Sequence, residues 1–148
     1  MKLWKIMAVS ALVFSGSSMA SGFGYGGGPS TPVFQTTNWH EELQIYQEGS
    51  LNLANATQTS AQNSLTTVNQ HGNANVASSN QVGDRSLLDI HQAGNFNRAD
   101  ALQSGDKSKL LISQSGTANY ANATQSASGS LANIVQVGTA NRAYASQQ

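Results

Sequence analysis

Cysteine is absent from this 148-residue chain. No disulfide framework can hold it together, so packing and hydrogen bonds must do so alone. Proline occurs only twice, at Pro29 and Pro32, where it argues against a central strand. Charge is scarce too, at 9% of residues, with seven Lys+Arg against seven Asp+Glu. Setting aside Lys2 and Lys5 of the leader described next leaves five basic residues and a net charge of about −2, which is no basic footprint for nucleic acid. Long apolar runs are also missing. Nothing after residue 20 is apolar for long enough to cross a bilayer.

The first twenty residues read as a secretory signal. Lys2 and Lys5 supply a positive start, Ile6 to Phe14 a short apolar run, and Ser18-Met19-Ala20 the small residues at a cleavage site. The mature chain is expected to begin at Ser21, exported, and either soluble or assembled outside the cell. Residues 21–40 differ in composition. SGFGYGGGPS is glycine-rich with Phe23 and Tyr25 as its large groups, and it reads as a flexible export segment.

From Glu41 onward one unit recurs. Ser64, Ser86, Ser108 and Ser130 stand 22 residues apart, as do Gln70, Gln92, Gln114 and Gln136. Each of those glutamines is followed two residues on by glycine and five on by asparagine. Such a period marks a solenoid or array. Five repeats follow: 41–63, 64–85, 86–107, 108–129 and 130–148. The first carries Gln47, Gly49, Asn52, Ala54 and Gln58 in the repeat's places, Glu41 in place of serine, and one extra residue in its final turn.

Alternation within the repeat gives its secondary structure. In the third unit Ser86, Leu88, Ile90 and Gln92 share one face, then Asn97, Ala99, Ala101 and Gln103 share another. Period two over seven residues is a strand signal. Gly94 is expected to relax the backbone between the strands, and Asn95 to tolerate an unusual φ there. Stacking the repeats sets Leu43/Ile45, Thr66/Val68, Leu88/Ile90, Leu110/Ile112 and Ala132/Ile134 against small residues of the facing strands. The fold class is therefore all-β: a β-solenoid of five strand-arc-strand repeats, two facing parallel in-register sheets, of amyloid-forming type. Columns of identical amides at about 4.8 Å can hydrogen-bond along the stack, which satisfies a group that cannot be buried unpaired.

Neither end of the repeat array carries a capping helix, so both edges are expected open as templates for another copy. The terminal residues that would carry assembly contacts are Gln47, Asn52 and Gln58 at one end and Gln136, Asn141 and Gln147 at the other. Asp84, Asp89, Asp100 and Asp106 are gatekeeper candidates, charges in the middle repeats that slow premature aggregation. The fifth repeat has Arg142 as its one charge, so its edge should be the stickier.

Catalysis finds no support. His71 and His91 occupy different repeat positions without metal-like clustering. Asp89 and Asp100 lie on outer faces of opposite strands, not in a cleft. No glycine-rich phosphate loop joins a strand to a helix. No catalytic, cofactor-binding or metal site is assigned. A monomeric β-solenoid adhesin is the rival reading, but its outward ladders should be regular, and here Val76, Arg98, Tyr120 and Arg142 share one column.

The pattern S-x5-Q-x-G-x-x-N-x-A-x3-Q resembles the curlin repeat. Ser64, Gln70, Gly72, Asn75, Ala77 and Gln81 carry it, as do the equivalent residues of the next three repeats. The resemblance implies a structural subunit of curli, the secreted bacterial amyloid of biofilm matrix and adhesion. It implies as partners further copies of itself, a surface-bound nucleator subunit, an outer-membrane secretion pore and periplasmic accessory proteins. The opening repeat is similar to that of the family's major subunit. The position before the arc asparagine is often glycine in that subunit, but here it holds Leu51, Ala74, Phe96, Ala118 and Ala140, which together with Arg98 and Arg142 resembles the minor, nucleating subunit. The degenerate, basic last repeat of that subunit is lacking here, so the resemblance favours the major subunit.

Overall fold

The computed structural model describes residues 8–15, 33–35, 41–59 and 62–148. Two strands precede the repeats, β1 (Ala8–Ser15) and β2 (Val33–Gln35). Each repeat then contributes a pair: β3 (Glu41–Ser50) and β4 (Asn52–Thr59), β5 (Ser64–Asn73) and β6 (Val76–Val82), β7 (Leu87–Asn95) and β8 (Arg98–Gln103). β9 (Lys109–Thr117), β10 (Tyr120–Gln125), β11 (Leu131–Thr139) and β12 (Arg142–Gln147) complete the series. Among the described residues there is no helix. Most of the proposed leader and of segment 21–40 lies outside the described residues.

The strands sort into two six-stranded sheets, β1-β4-β6-β8-β10-β12 and β11-β9-β7-β5-β3-β2. First strands of successive repeats pair in parallel, and so do second strands, each residue beside its own equivalent. Gln47, Gln70, Gln92, Gln114 and Gln136 form one such row. Register is fixed by the side-chain period of two. A slip of one residue would turn Leu88 and Ile90 out to solvent and their polar neighbours inward.

Between the sheets lies one thin core. Leu43, Ile45, Val68, Leu88, Ile90, Leu110 and Ile112 are buried from one side, and Ala54, Ala56, Ala77, Ala99, Ala121 and Ala123 from the other. Large aliphatics against alanine let the sheets approach closely while filling the gap. Ser79 interrupts the alanine column between Ala56 and Ala101. It is buried, and its hydroxyl finds no hydrogen-bond partner.

Each arc holds two left-handed backbone positions. Gly49, Gly72, Gly94, Gly116 and Gly138 have φ between +108° and +120°. A Cβ on Gly94 would stand 2.0 Å from the carbonyl oxygen of Gly116, and Gly49 and Gly72 face the same obstacle on the next rung. The expectation for Asn95 is corrected. It stays in β7, and the left-handed residue is Phe96, with φ 56°. Side chains must switch from the Asn95 side to the inward Asn97 across one residue, so that residue takes the turn. Leu51, Ala74, Ala118 and Ala140 do the same in their arcs, and Asn63, Arg85 and Lys107 in the turns between repeats.

Two stability predictions follow from these positions, both read as denaturant midpoints of the assembled β-form. Ser79→Ala should stabilise by about 1 kcal/mol, because it removes a buried hydroxyl that has no partner. Phe96→Gly should stabilise by up to ~1 kcal/mol. Relief of a left-handed conformation costing about 1–2 kcal/mol outweighs the added freedom of the unfolded chain, and Phe96 is 65% exposed, so little burial is lost.

Candidate assembly edges

Three amide columns run the length of the stack. In the first, Nε2 of Gln47 donates to Oε1 of Gln70 at 2.6 Å, and Gln70, Gln92 and Gln114 each donate to the next glutamine at 2.8 Å. The second amide hydrogen crosses to the other sheet. Gln70, Gln92, Gln114 and Gln136 donate to the carbonyls of Leu53, Val76, Arg98 and Tyr120, all at 3.0 Å. One side chain thus ties two repeats along the stack and two sheets across it. In the second column Gln58, Gln81, Gln103 and Gln125 donate in turn to the next glutamine, ending on Gln147.

The asparagine column runs the other way. Asn75 donates through both its backbone N–H and Nδ2 to Oδ1 of Asn52, at 3.0 and 3.2 Å. Asn97 and Asn119 repeat this on the preceding asparagine. Their Nδ2 groups also reach the arc glycine carbonyl of the following repeat, as Asn97 does to Gly116 at 3.0 Å. The arc glycine is therefore needed twice, for close approach and for an accessible carbonyl.

The sequence-predicted assembly residues occupy the two terminal rungs of these columns, and the two rungs are complementary. Asn141 donates its backbone N–H to Asn119 and its Nδ2 to Val137. Its Oδ1 faces the side where, in the interior, the next asparagine would donate. Gln147 and Gln136 end the glutamine columns with Nε2 at that same edge. At the opposite end Oε1 of Gln58 is buried with no partner. It is an acceptor in the place where every later rung of its column receives an amide N–H.

Two open edges were expected, and the structure leaves one. Among the described residues β11 and β12 end their sheets uncovered, whereas β1 lies antiparallel on β4 and β2 antiparallel on β3. The reason is the edge itself. Its unpaired backbone groups take up any chain segment within reach, and here the preceding residues are tethered beside it.

Serines and turn aspartates form ladders that their period announced but whose roles it did not. Oγ of Ser64, Ser86 and Ser108 donates to the carbonyls of Gly83, Gly105 and Ala127 and accepts from the backbone N–H of the next serine. Asp84 accepts the N–H of Gln62, and Asp106 that of Asp84, both at 2.9 Å. Two of the four gatekeeper candidates thus also stitch turn to turn. Asp100 pairs with Arg98 at 3.0 Å on the outer face of its sheet. Asp89 is half-buried on the opposite outer face, between Thr67 and Leu111. Burial raises its pKa above the ordinary carboxylate value, with His91 and Lys109 pulling it partly back. Among the described residues no group of side chains could hold a metal ion.

Fold and edges together define a class: a β-solenoid of repeated rungs whose last rung, among the described residues, ends in an uncovered edge complementary to its first. Residues 83–116 match the family pattern described as the curlin associated repeat. The matched stretch covers the third repeat and part of the fourth, and over it the chain is similar to that family. No curated protein matches the chain.

The raised pKa of Asp89 sets a direction for pH. The folded form holds its proton more tightly than the unfolded chain, so the penalty is absent below the unfolded value and grows as pH rises through the folded one. Midpoints measured from about pH 4 to 7 should therefore fall less steeply with pH in Asp89→Asn than in the parent, and the variant should be the more stable at pH 7.

Proposed function

We propose that this protein is a secreted structural subunit of curli, which polymerises head-to-tail at the cell surface into amyloid fibres of a biofilm matrix. The single observation that carries the reading is the match between the terminal rungs. The uncovered edge ends in the amides of Gln136 and Gln147 and Oδ1 of Asn141. The opposite rung holds the buried, unpartnered Oε1 of Gln58. In this reading Gln136, Asn141 and Gln147 of one copy meet Gln47, Asn52 and Gln58 of the next, and the ladders run on without a break. A heterologous contact of this kind does not close, and it makes a fibre.

Removal of residues 1–20 on export would take β1 with it and leave β4 uncovered. β2 pairs through three residues of β3, while an incoming β11 pairs through nine, as it does with β9. Exchange of the short strand for the long one is therefore favourable. Asp84, Asp89, Asp100 and Asp106 keep charge in the middle repeats, which slows association before a template is met. The partners of this reading are further copies, a nucleator subunit and the outer-membrane secretion pore with its accessory proteins. Non-glycine arc residues at Leu51, Ala74, Phe96, Ala118 and Ala140 favour a second reading, that of the nucleating subunit.

Residues 21–148, diluted from denaturant, should show a lag, then β-circular dichroism and thioflavin binding, with the lag shortened by seed. A stable dye-negative monomer would leave the β-solenoid adhesin standing instead. Seeding of a different curlin by fast-assembling protein would favour the nucleator. The joint has its own test in Gly138→Ala. Within one chain, a Cβ there meets nothing closer than Nδ2 of Asn141 at 3.3 Å. Between stacked copies it meets the next Gly49 carbonyl as the inner glycines meet theirs. Traces of this variant should end growth on parental seeds, and unchanged elongation would exclude a joint through this rung.

A further inference from the structure

The columns on the two outer faces differ in sign. On the sheet of second strands, Arg98 and Arg142 stand two rungs apart with Tyr120 between them. The Arg98 guanidinium lies 5.9 Å from the Tyr120 ring centre, and Tyr144 lies 5.8 Å from it on the other side. Asp100, bonded to Arg98, is the one acid on that face. On the sheet of first strands the charges are mainly acidic. Glu42 and Glu48 lie on the first rung and Asp89 on the third, with Lys109 on the fourth as the one fixed positive charge. His71, 3.8 Å from Glu48, and His91 complete that face.

We infer that the arginine–tyrosine face of one filament docks laterally on the acidic face of a second filament of the same chain. The inference rests on the fibre reading above, since it needs the faces to repeat. Three features support it. The faces are complementary in charge. Along the axis both faces carry like charges two rungs apart, roughly 9.6 Å at the strand separation of a sheet: Arg98 and Arg142 in one column, and Glu48 and Asp89 in columns four residues apart along the strand. Both faces belong to the same subunit and recur with the same five-rung period, roughly 24 Å, so a match made once is repeated at every subunit. An exposed ion pair contributes about 0.2–1 kcal/mol. Repetition along two rigid filaments turns that weak contact into a firm one by avidity. Tyr120 between the arginines, and Tyr144 beside Arg142, add flat apolar area to the basic face.

Electron microscopy of assembled residues 21–148 tests this, with thioflavin kinetics on the same samples. Parental filaments should bundle at low salt and separate into single filaments towards 1 M NaCl, where screening acts within about 3 Å, while the seeded elongation rate is unchanged. Arg142→Glu filaments should stay single at low salt, and mixing them with Glu48→Arg filaments should restore bundles. Bundles of parental width in Arg142→Glu, or at 1 M NaCl, would overturn the lateral contact while leaving the fibre reading intact. Absence of filaments from the parent would overturn both.

Discussion

A buried amide has two donors and an acceptor to satisfy, and in this molecule only another amide one rung away satisfies them in line. That constraint governs the rest. It requires rungs at the strand spacing, hence parallel in-register sheets. It requires the same residue at the same place in every repeat, hence a period of 22 residues, with one extra residue in the final turn of the first repeat. It also leaves the columns open at particular atoms of the terminal rungs: Oε1 of Gln58 is buried without a partner, and Oδ1 of Asn141 has no following asparagine to donate to it. Stability and the open last rung are consequences of one device, because the bond that holds rung to rung is the bond that the last rung lacks.

The apolar core is secondary to this scaffold. Its layers are thin, with alanine facing leucine and isoleucine, and second strands contribute little more than methyl groups. A slip of one residue would expose its leucines and isoleucines, and the amides add to that cost. Selection is shared with the amides, which flank the aliphatics on both sides and lose their in-line partners on a slip. Thr66 shows the interplay. It stands in a leucine column, and its hydroxyl is absorbed by Oε1 of Gln81 at 2.6 Å. Ser79, stacked between Ala56 and Ala101, has no such recipient.

Much of this was legible in the sequence, because period two and period 22 are both properties of side-chain placement. Inward faces, amide columns and repeat boundaries follow directly from them. Backbone features were less legible. That Phe96 rather than Asn95 takes the left-handed turn depends on where the chain swaps faces, which composition does not report. The turn aspartates read as solvated charge, since a carboxylate accepting a backbone N–H from the preceding turn looks no different in sequence from one facing water. Coverage of the first edge by β1 and β2 lies outside any repeat, so no periodicity could announce it. The complementarity of the terminal rungs depends on amide orientation, which two opposite column directions make visible only in three dimensions.

Covalent connection gives the stack a mechanical grain. Inside one subunit successive rungs are joined by arcs and turns as well as by ladders, whereas in a fibre of stacked subunits the joint would have ladders alone. Tension along the axis loads every ladder equally, so the joints yield first and the rungs within a subunit hold. Fracture then produces whole subunits at both new ends, with intact donors on one and intact acceptors on the other. A broken filament of this design would have two working ends, and damage would multiply the sites of growth.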